Sequence, residues 1–171
     1  MKKVMAAVMF AVLASLFVCV MALAAEEKTL TIIEVVEPLS EEERWVIKDD
    51  IDRLACLVYC EAGSNKLSDD LRYAVIAVCL NRVEDRRFPS SIKEVLEQKG
   101  QYQPFMRNGV QWPKKARHPT EQWAVARSYI CAIKAYYKQV ESPLRRAGYV
   151  WQANFGQGKK RIKIGNMWFG C

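Results

Sequence analysis

Between Val4 and Ala25 the chain carries no charge, and this apolar run decides the setting in which everything after it folds. Lys2 and Lys3 precede the run and Ala22-Leu23-Ala24 closes it. A basic start, an apolar middle and a small-x-small end are the parts of an export signal, which places cleavage after Ala24 or Ala25. About 20 apolar residues also suffice to cross a bilayer, so residues 1–25 read either as a signal peptide or as a membrane anchor through residues 4–25. Cys19 follows Leu16-Phe17-Val18, which lacks the small residue that lipid attachment requires. Under both readings the remainder is exported. Of the 171 residues, those left are enough for one domain with a core of its own and too few for two.

Export makes the cysteines informative. Cys56, Cys60, Cys79, Cys131 and Cys171 lie beyond the apolar run, and an odd number cannot all pair within one chain. Three of them fall at core spacing, where a thiol serves as a small hydrophobe. Buried thiols and one or two bridges both remain open. Metal binding is not indicated: Cys56-x-x-x-Cys60 has no second pair, and His118 is the single histidine.

Charge is divided along the chain. Residues 26–50 hold nine acids against three bases, a net of −6, while residues 51–171 hold 21 bases against ten acids, a net of +11. A basic exported domain suits an anionic cell-wall surface or a solvated basic face, and export argues against nucleic acid as the partner.

Residues 26–48 read as an acidic spacer, with β-branched Thr29 to Val36, then Pro38 and Glu41-Glu42-Glu43. The domain proper is expected over residues 49–171. Ile51, Leu54, Ala55 and Val58 follow the i, i+3, i+4, i+7 rule of an amphipathic helix, which should end at Glu61-Ala62-Gly63 with Gly63 as a left-handed cap. Ser68 opens a second helix with Asp69 and Asp70 in its first turn. Ser91-Ile92-Lys93-Glu94 is a capping box for a third helix ending at Gly100. The proline- and glycine-bearing stretch from Gln101 to Pro119 reads as a long loop, and Thr120 as the cap of a fourth helix reaching Val140. Tyr149-Val150-Trp151 and Ile162-Lys163-Ile164 read as strands joined through a loop over Phe155 to Lys160. Helices followed by a small antiparallel sheet make the fold class α+β, mainly helical.

Glu61 is the first candidate for chemistry. At a helix C-terminus the backbone dipole disfavours a carboxylate, and partial burial pushes the same way. A carboxyl held protonated near neutral pH can donate a proton to a glycosidic oxygen. Most glutamates at helix ends are simply surface residues, so position alone does not assign this role.

The surrounding motifs do more. Leu54-Ala55-Cys56-Leu57-Val58-Tyr59-Cys60-Glu61-Ala62-Gly63 resembles the signature of the spore cortex-lytic and cell-wall hydrolase family, an apolar helix ending in Tyr-x-Glu-Ala. Ala74 to Val83, ending in Asn81-Arg82-Val83, resembles the next helix of that family. Phe88-Pro89 and Ile92 to Val95 follow in order, then Gly100-Gln101-Tyr102-Gln103-Pro104, Tyr149 to Phe155 and Ile164-Gly165-Asn166. The resemblance spans residues 51–171.

It implies a lysozyme-like fold that cleaves the bond between N-acetylmuramic acid and N-acetylglucosamine in peptidoglycan glycan strands of a spore cortex or vegetative wall. It further implies a lytic transglycosylase route with Glu61 as the single catalytic acid, and no cofactor or metal. Gln101, Tyr102 and Gln103 are then the substrate-side loop, where amides meet N-acetyl groups and an aromatic packs on a sugar; structural turn duty is the alternative. Tyr149 and Asn154 follow from the strand region as cleft lining or turn residues. Asn81 is expected to stabilise a helix end, and Tyr59 to orient Glu61 or fill the core. Asp69 and Asp70 are better explained as helix-start residues than as a second acid, which a hydrolytic route would require. Trp112, Trp123, Trp151 and Trp168 include possible sugar platforms, although Trp123, on a helix, reads as core. The family's late histidine has no counterpart, since Gly165 is followed by Asn166-Met167-Trp168. The rival from another class is a catalytically inactive peptidoglycan-binding protein on the same scaffold. Nothing in the sequence speaks to oligomeric state.

Overall fold

The computed structural model describes residues 39–102, 109–156 and 158–171. The apolar run and most of the acidic spacer lie outside these residues. Contacts divide the chain at Trp45. Of the first unit, Leu39–Trp45 is described, and it contains the start of helix α1, Glu41–Ala62. Ser40 Oγ accepts from the Glu43 amide at 3.2 Å, and Glu43 answers by accepting from the Ser40 amide at 2.8 Å. This reciprocal cap starts the helix well before Asp49, where apolar periodicity alone places it.

The second unit, Val46–Cys171, is built around helix α2, Asp69–Glu84. Leu71, Ala74, Val75, Ile76, Ala77, Val78 and Cys79 are all buried, so α2 is apolar round nearly its whole circumference. A helix of that kind belongs in the centre of a domain. It packs against helix α3 (Ile92–Glu97), helix α4 (Gln122–Tyr136), the single turn α5 (Pro143–Arg146) and strands β1 (Trp151–Ala153) and β2 (Arg161–Ile164). Ser68 caps α2 through the Leu71 amide, and the Ser91–Glu94 box caps α3 at 3.3 Å. Two 3₁₀ turns, Lys114–Arg117 and Pro119–Glu121, lead into α4, so residues 109–121 are more ordered than a plain loop. His118, rather than Thr120, supplies the capping side chain there, accepting from the Thr120 amide at 3.4 Å. Helix α4 stops at Tyr136 because Lys138 takes a left-handed φ of 54°, short of the expected Val140.

The sheet confirms an α+β fold, with one change of topology. A third strand, β3 (Met167–Gly170), lies between β1 and β2 and pairs antiparallel with both. The hairpin is therefore β2–β3, turning on Gly165-Asn166 with Gly165 at φ 59°, as a primed turn with glycine first requires. Residues 155–160 do not form a hairpin loop between adjacent strands. Met167, Trp168 and Phe169 carry weak alternation but bury Met167 and Phe169, which is what makes β3 the central strand.

All five described cysteines are free. Cys56, Cys79 and Cys131 are buried, and the thiols of Cys56 and Cys60 hydrogen-bond one turn apart on α1 without bridging. Buried thiols are thus the reading the structure bears out.

The end of α2 is tied down by Asn81. Its amide donates to the carbonyls of Leu144 at 2.9 Å and Tyr149 at 2.7 Å, while its Oδ1 accepts from Arg145 at 2.9 Å. Asn81→Ala takes the side-chain donor from both carbonyls, leaving Leu144 the Tyr149 amide at 3.3 Å, and it removes the Arg145 acceptor; each buried group left unsatisfied costs about 1–3 kcal/mol. Urea unfolding is expected to show a loss of roughly 2–4 kcal/mol; a loss under about 0.5 kcal/mol, the ordinary surface value, would contradict this account.

Candidate active site

Glu61 sits in the last turn of α1, one helical turn beyond Leu57 and two beyond Leu54, both buried. That register turns it toward the core side of the helix, and burial lifts its carboxyl above the ordinary carboxylate range. No charged or hydrogen-bonding neighbour among the described residues offsets that shift.

Gly63 ends the helix by a different device from the expected one. Its φ is not left-handed; instead a Cβ there would stand 2.3 Å from the Tyr59 carbonyl oxygen. Glycine is needed so that the chain can leave the helix against its own last turn. Beyond it, Arg72 of α2 reaches back to the carbonyls of Ser64 at 2.7 Å and Leu67 at 2.8 Å. The α1–α2 connection, and with it the end of α1, is held by this buried guanidinium.

Of the substrate-side candidates, Tyr102 is buried in the core cluster, within reach of the Glu61 charge. Its phenol is raised by burial first, and the Glu61 charge adds to the effect. Only 2% exposed, Tyr102 is a packed wall, not an open platform. Gln101 precedes it, half-buried, with its amide bonded to the Gln98 carbonyl at 3.2 Å. Gln103 lies outside the described residues. Tyr149 packs against the core and offers its carbonyl to Asn81, while Asn154 is exposed just after β1. Tyr59 does not orient Glu61: its hydroxyl donates to Glu121 at 2.8 Å, on another side of α1.

Other acids are engaged elsewhere. Asp69 pairs with Arg127, and with Arg72 at 3.0 Å; the Arg127 hydrogen bond leads in holding its carboxyl below the ordinary range. Asp52 accepts from Trp112 Nε1 at 3.0 Å and from the Tyr129 hydroxyl. Trp112 stacks on Tyr129 with centroids 5.4 Å apart, which fixes the return of the 109–113 segment to the domain.

Arg82 was not a predicted site residue and belongs beside the site. It is 3% exposed, donates from Nε to the Val150 carbonyl at 2.7 Å, and lies over the rings of Tyr102 (5.1 Å), Phe88 (5.3 Å) and Trp151 (5.6 Å). The available signal was an arginine inside an otherwise apolar helical face, directly after Asn81.

The chain belongs to the cell wall hydrolase family, whose model matches residues 68–170. The match covers α2 through β3 and opens at Ser68, so Glu61 lies just outside it. Comparison with curated proteins and with solved structures gives no match. Membership makes the protein a cell wall hydrolase and peptidoglycan its substrate.

The half-buried Glu61 carboxyl has a thermodynamic signature. The folded state holds its proton more tightly than the unfolded chain does, so ionisation opposes folding. The cost is absent below the ordinary glutamate pKa and complete above the raised one. Glu61→Gln is therefore expected to raise Tm at pH 7, with the gain shrinking toward pH 4. Thermal melts at the two pH values check this, and an equal or larger gain at pH 4 would contradict it.

Proposed function

We propose that the protein is an exported lytic transglycosylase in which Glu61 is the single catalytic acid, acting on the bond between N-acetylmuramic acid and N-acetylglucosamine. The observation that carries this reading is the place of Glu61 in the last turn of α1, half-buried on the core-facing register, where desolvation favours a protonated carboxyl.

The protonated Glu61 carboxyl donates to the glycosidic oxygen as the C1–O bond breaks, leaving N-acetylglucosamine with a free hydroxyl. Positive charge on the muramic acid C1 then faces the Glu61 carboxylate. That carboxylate takes the proton of the muramic acid 6-hydroxyl as its oxygen closes on C1, which forms a 1,6-anhydro ring and returns Glu61 to its starting state. One carboxyl serves as acid and then base. An inverting or retaining hydrolase would instead place a second carboxyl about 5–9.5 Å away, and the engagement of Asp52 and Asp69 supports the single-acid route.

Gln101, Gln103, Tyr149 and Asn154 are assigned to substrate contact and Tyr102 to the wall behind Glu61. The apolar run before residue 26 delivers the domain to the wall, as a signal peptide or as a retained anchor.

Mass spectrometry of fragments released from purified peptidoglycan tests the proposal. The parent should release products ending in 1,6-anhydro-muramic acid, and Glu61→Gln should lower the rate by at least about 100-fold, the lower end for a positioned acid. Hydrated ends would replace the transglycosylase by a hydrolase. Undiminished release by Glu61→Gln would remove Glu61 from the chemistry, and no release by the parent would favour a binding protein on this scaffold. Because the acid must be protonated, the rate should fall as pH rises through the raised Glu61 pKa.

A further inference from the structure

Tyr59 and Glu61 point to opposite sides of α1, roughly 160° apart round the helix. On the Tyr59 side lies an open groove of about 600 Å³ that the chemistry at Glu61 does not use. Its walls include Ser64, Asn65, Lys115, Thr120, Glu121 and Trp123.

Trp123 is the unusual member. The helical pattern reads it as core, yet it is 52% exposed, in the first turn of α4. Single exposed apolar residues are ordinary; this one is braced from behind. Arg72, itself 2% exposed, lies 5.7 Å from the indole centroid while its other nitrogens hold the carbonyls of Ser64 and Leu67. An indole fixed on a buried cation keeps its orientation without a ligand, so little side-chain entropy remains to be lost on binding. Asn65 and Trp123 also line a second depression of about 370 Å³, which continues the path toward Asp70 and Arg127. The two depressions adjoin through the Asn65 and Trp123 that they share.

The polar groups beside the indole suit hydroxyls and amides. Asn65 offers both a donor and an acceptor, and Ser64 and Thr120 offer hydroxyls. Glu121 accepts from Tyr59 and pairs with Lys115 at 3.2 Å, which hold its carboxyl below the ordinary range and keep it an acceptor. Because Lys115 is already paired, the groove favours a neutral chain over an anionic wall polymer.

We propose that Trp123 and this groove form a second carbohydrate-binding site, which holds a stretch of N-acetylated glycan away from the bond being cleaved. The C–H face of a pyranose packs on the free face of the indole, and Asn65, Thr120 and Glu121 take the hydroxyl and N-acetyl groups along its edge. The choice of N-acetylated glycan rests on the substrate proposed for Glu61; the site itself does not require Glu61.

The test uses the full chain carrying Glu61→Gln, so that nothing is cleaved, with a soluble N-acetylglucosamine hexamer as probe. Titration calorimetry should show binding that weakens at least about tenfold in Trp123→Ala, the loss expected of an aromatic anchor. Trp123→Phe should recover most of it. Asn65→Ala, which leaves the indole in place, should weaken binding by a smaller factor and guards against misfolding of the tryptophan variant. Hexamer affinity unchanged by Trp123→Ala and Asn65→Ala, or no binding by the Glu61→Gln chain, overturns the proposal. Failure of the Glu61 reading shows itself separately, as undiminished product release by Glu61→Gln.

Discussion

The pair of buried polar side chains at the end of α2 carries the architecture. Asn81 and Arg82 are 5% and 3% exposed, and both reach backbone carbonyls on the far side of the domain: Leu144, Tyr149 and Val150. These carbonyls lie in α5 and in the segment that leaves it for β1; Leu144 also accepts from the Tyr149 amide at 3.3 Å. Buried carbonyls without donors are expensive, so the donors that α2 supplies favour the burial of this segment. Burying a guanidinium is costly too. Three aromatic faces and one carbonyl offset that cost, although Nη1 makes no hydrogen bond. The sheet, the Tyr102 wall and the end of α2 are thereby one connected unit.

A second arginine does the corresponding work at the other end of α2. Arg72 holds the carbonyls of Ser64 and Leu67 and the carboxylate of Asp69, so the short connection from α1 follows a set path. Gly63 begins that path by running closer to Tyr59 than any side chain would allow. The position of Glu61 thus depends on a glycine that permits a close approach and on an arginine that rewards it, neither of which touches the carboxyl.

Local signals in the sequence were the readable ones. Ser68 and the Ser91–Glu94 box name their helices because a cap is a contact within four residues, and the apolar spacing of 51–58 and 71–79 gives the core faces of α1 and α2. The Ser40–Glu43 box carried the same signal but was obscured by the run of three glutamates, which reads as linker composition. What could not be read were matters of tertiary choice. Placing β3 between β1 and β2 depends on burying Met167 and Phe169, and four residues do not reveal a period. Trp123 was misread for the opposite reason: its residue type suggested core, and only its placement over Arg72 on the open side of α4 shows otherwise. The candidate acid was legible because its cause is positional, a carboxyl at a helix end on the buried register. The arginine beside Tyr102 was not, because its three aromatic partners lie six, 20 and 69 residues away along the chain.

The way the described carboxylates are engaged bears on what a single acid can do here. Asp52 is held by Trp112 and Tyr129, Asp69 by two arginines, Asp50 by Arg53, and Glu121 by Tyr59 and Lys115. The donors on Asp69 and Glu121 hold both carboxyls below the ordinary range, so these two serve better as anchors than as acids. Glu61 differs in that desolvation alone governs it. A carboxyl in that condition resists ionisation before the substrate arrives, yet it can carry negative charge once positive charge develops on the sugar beside it. The route proposed for Glu61, acid first and base second, is one that such an environment would favour, because a charge that is costly in the resting protein would be offset by positive charge developing on a sugar.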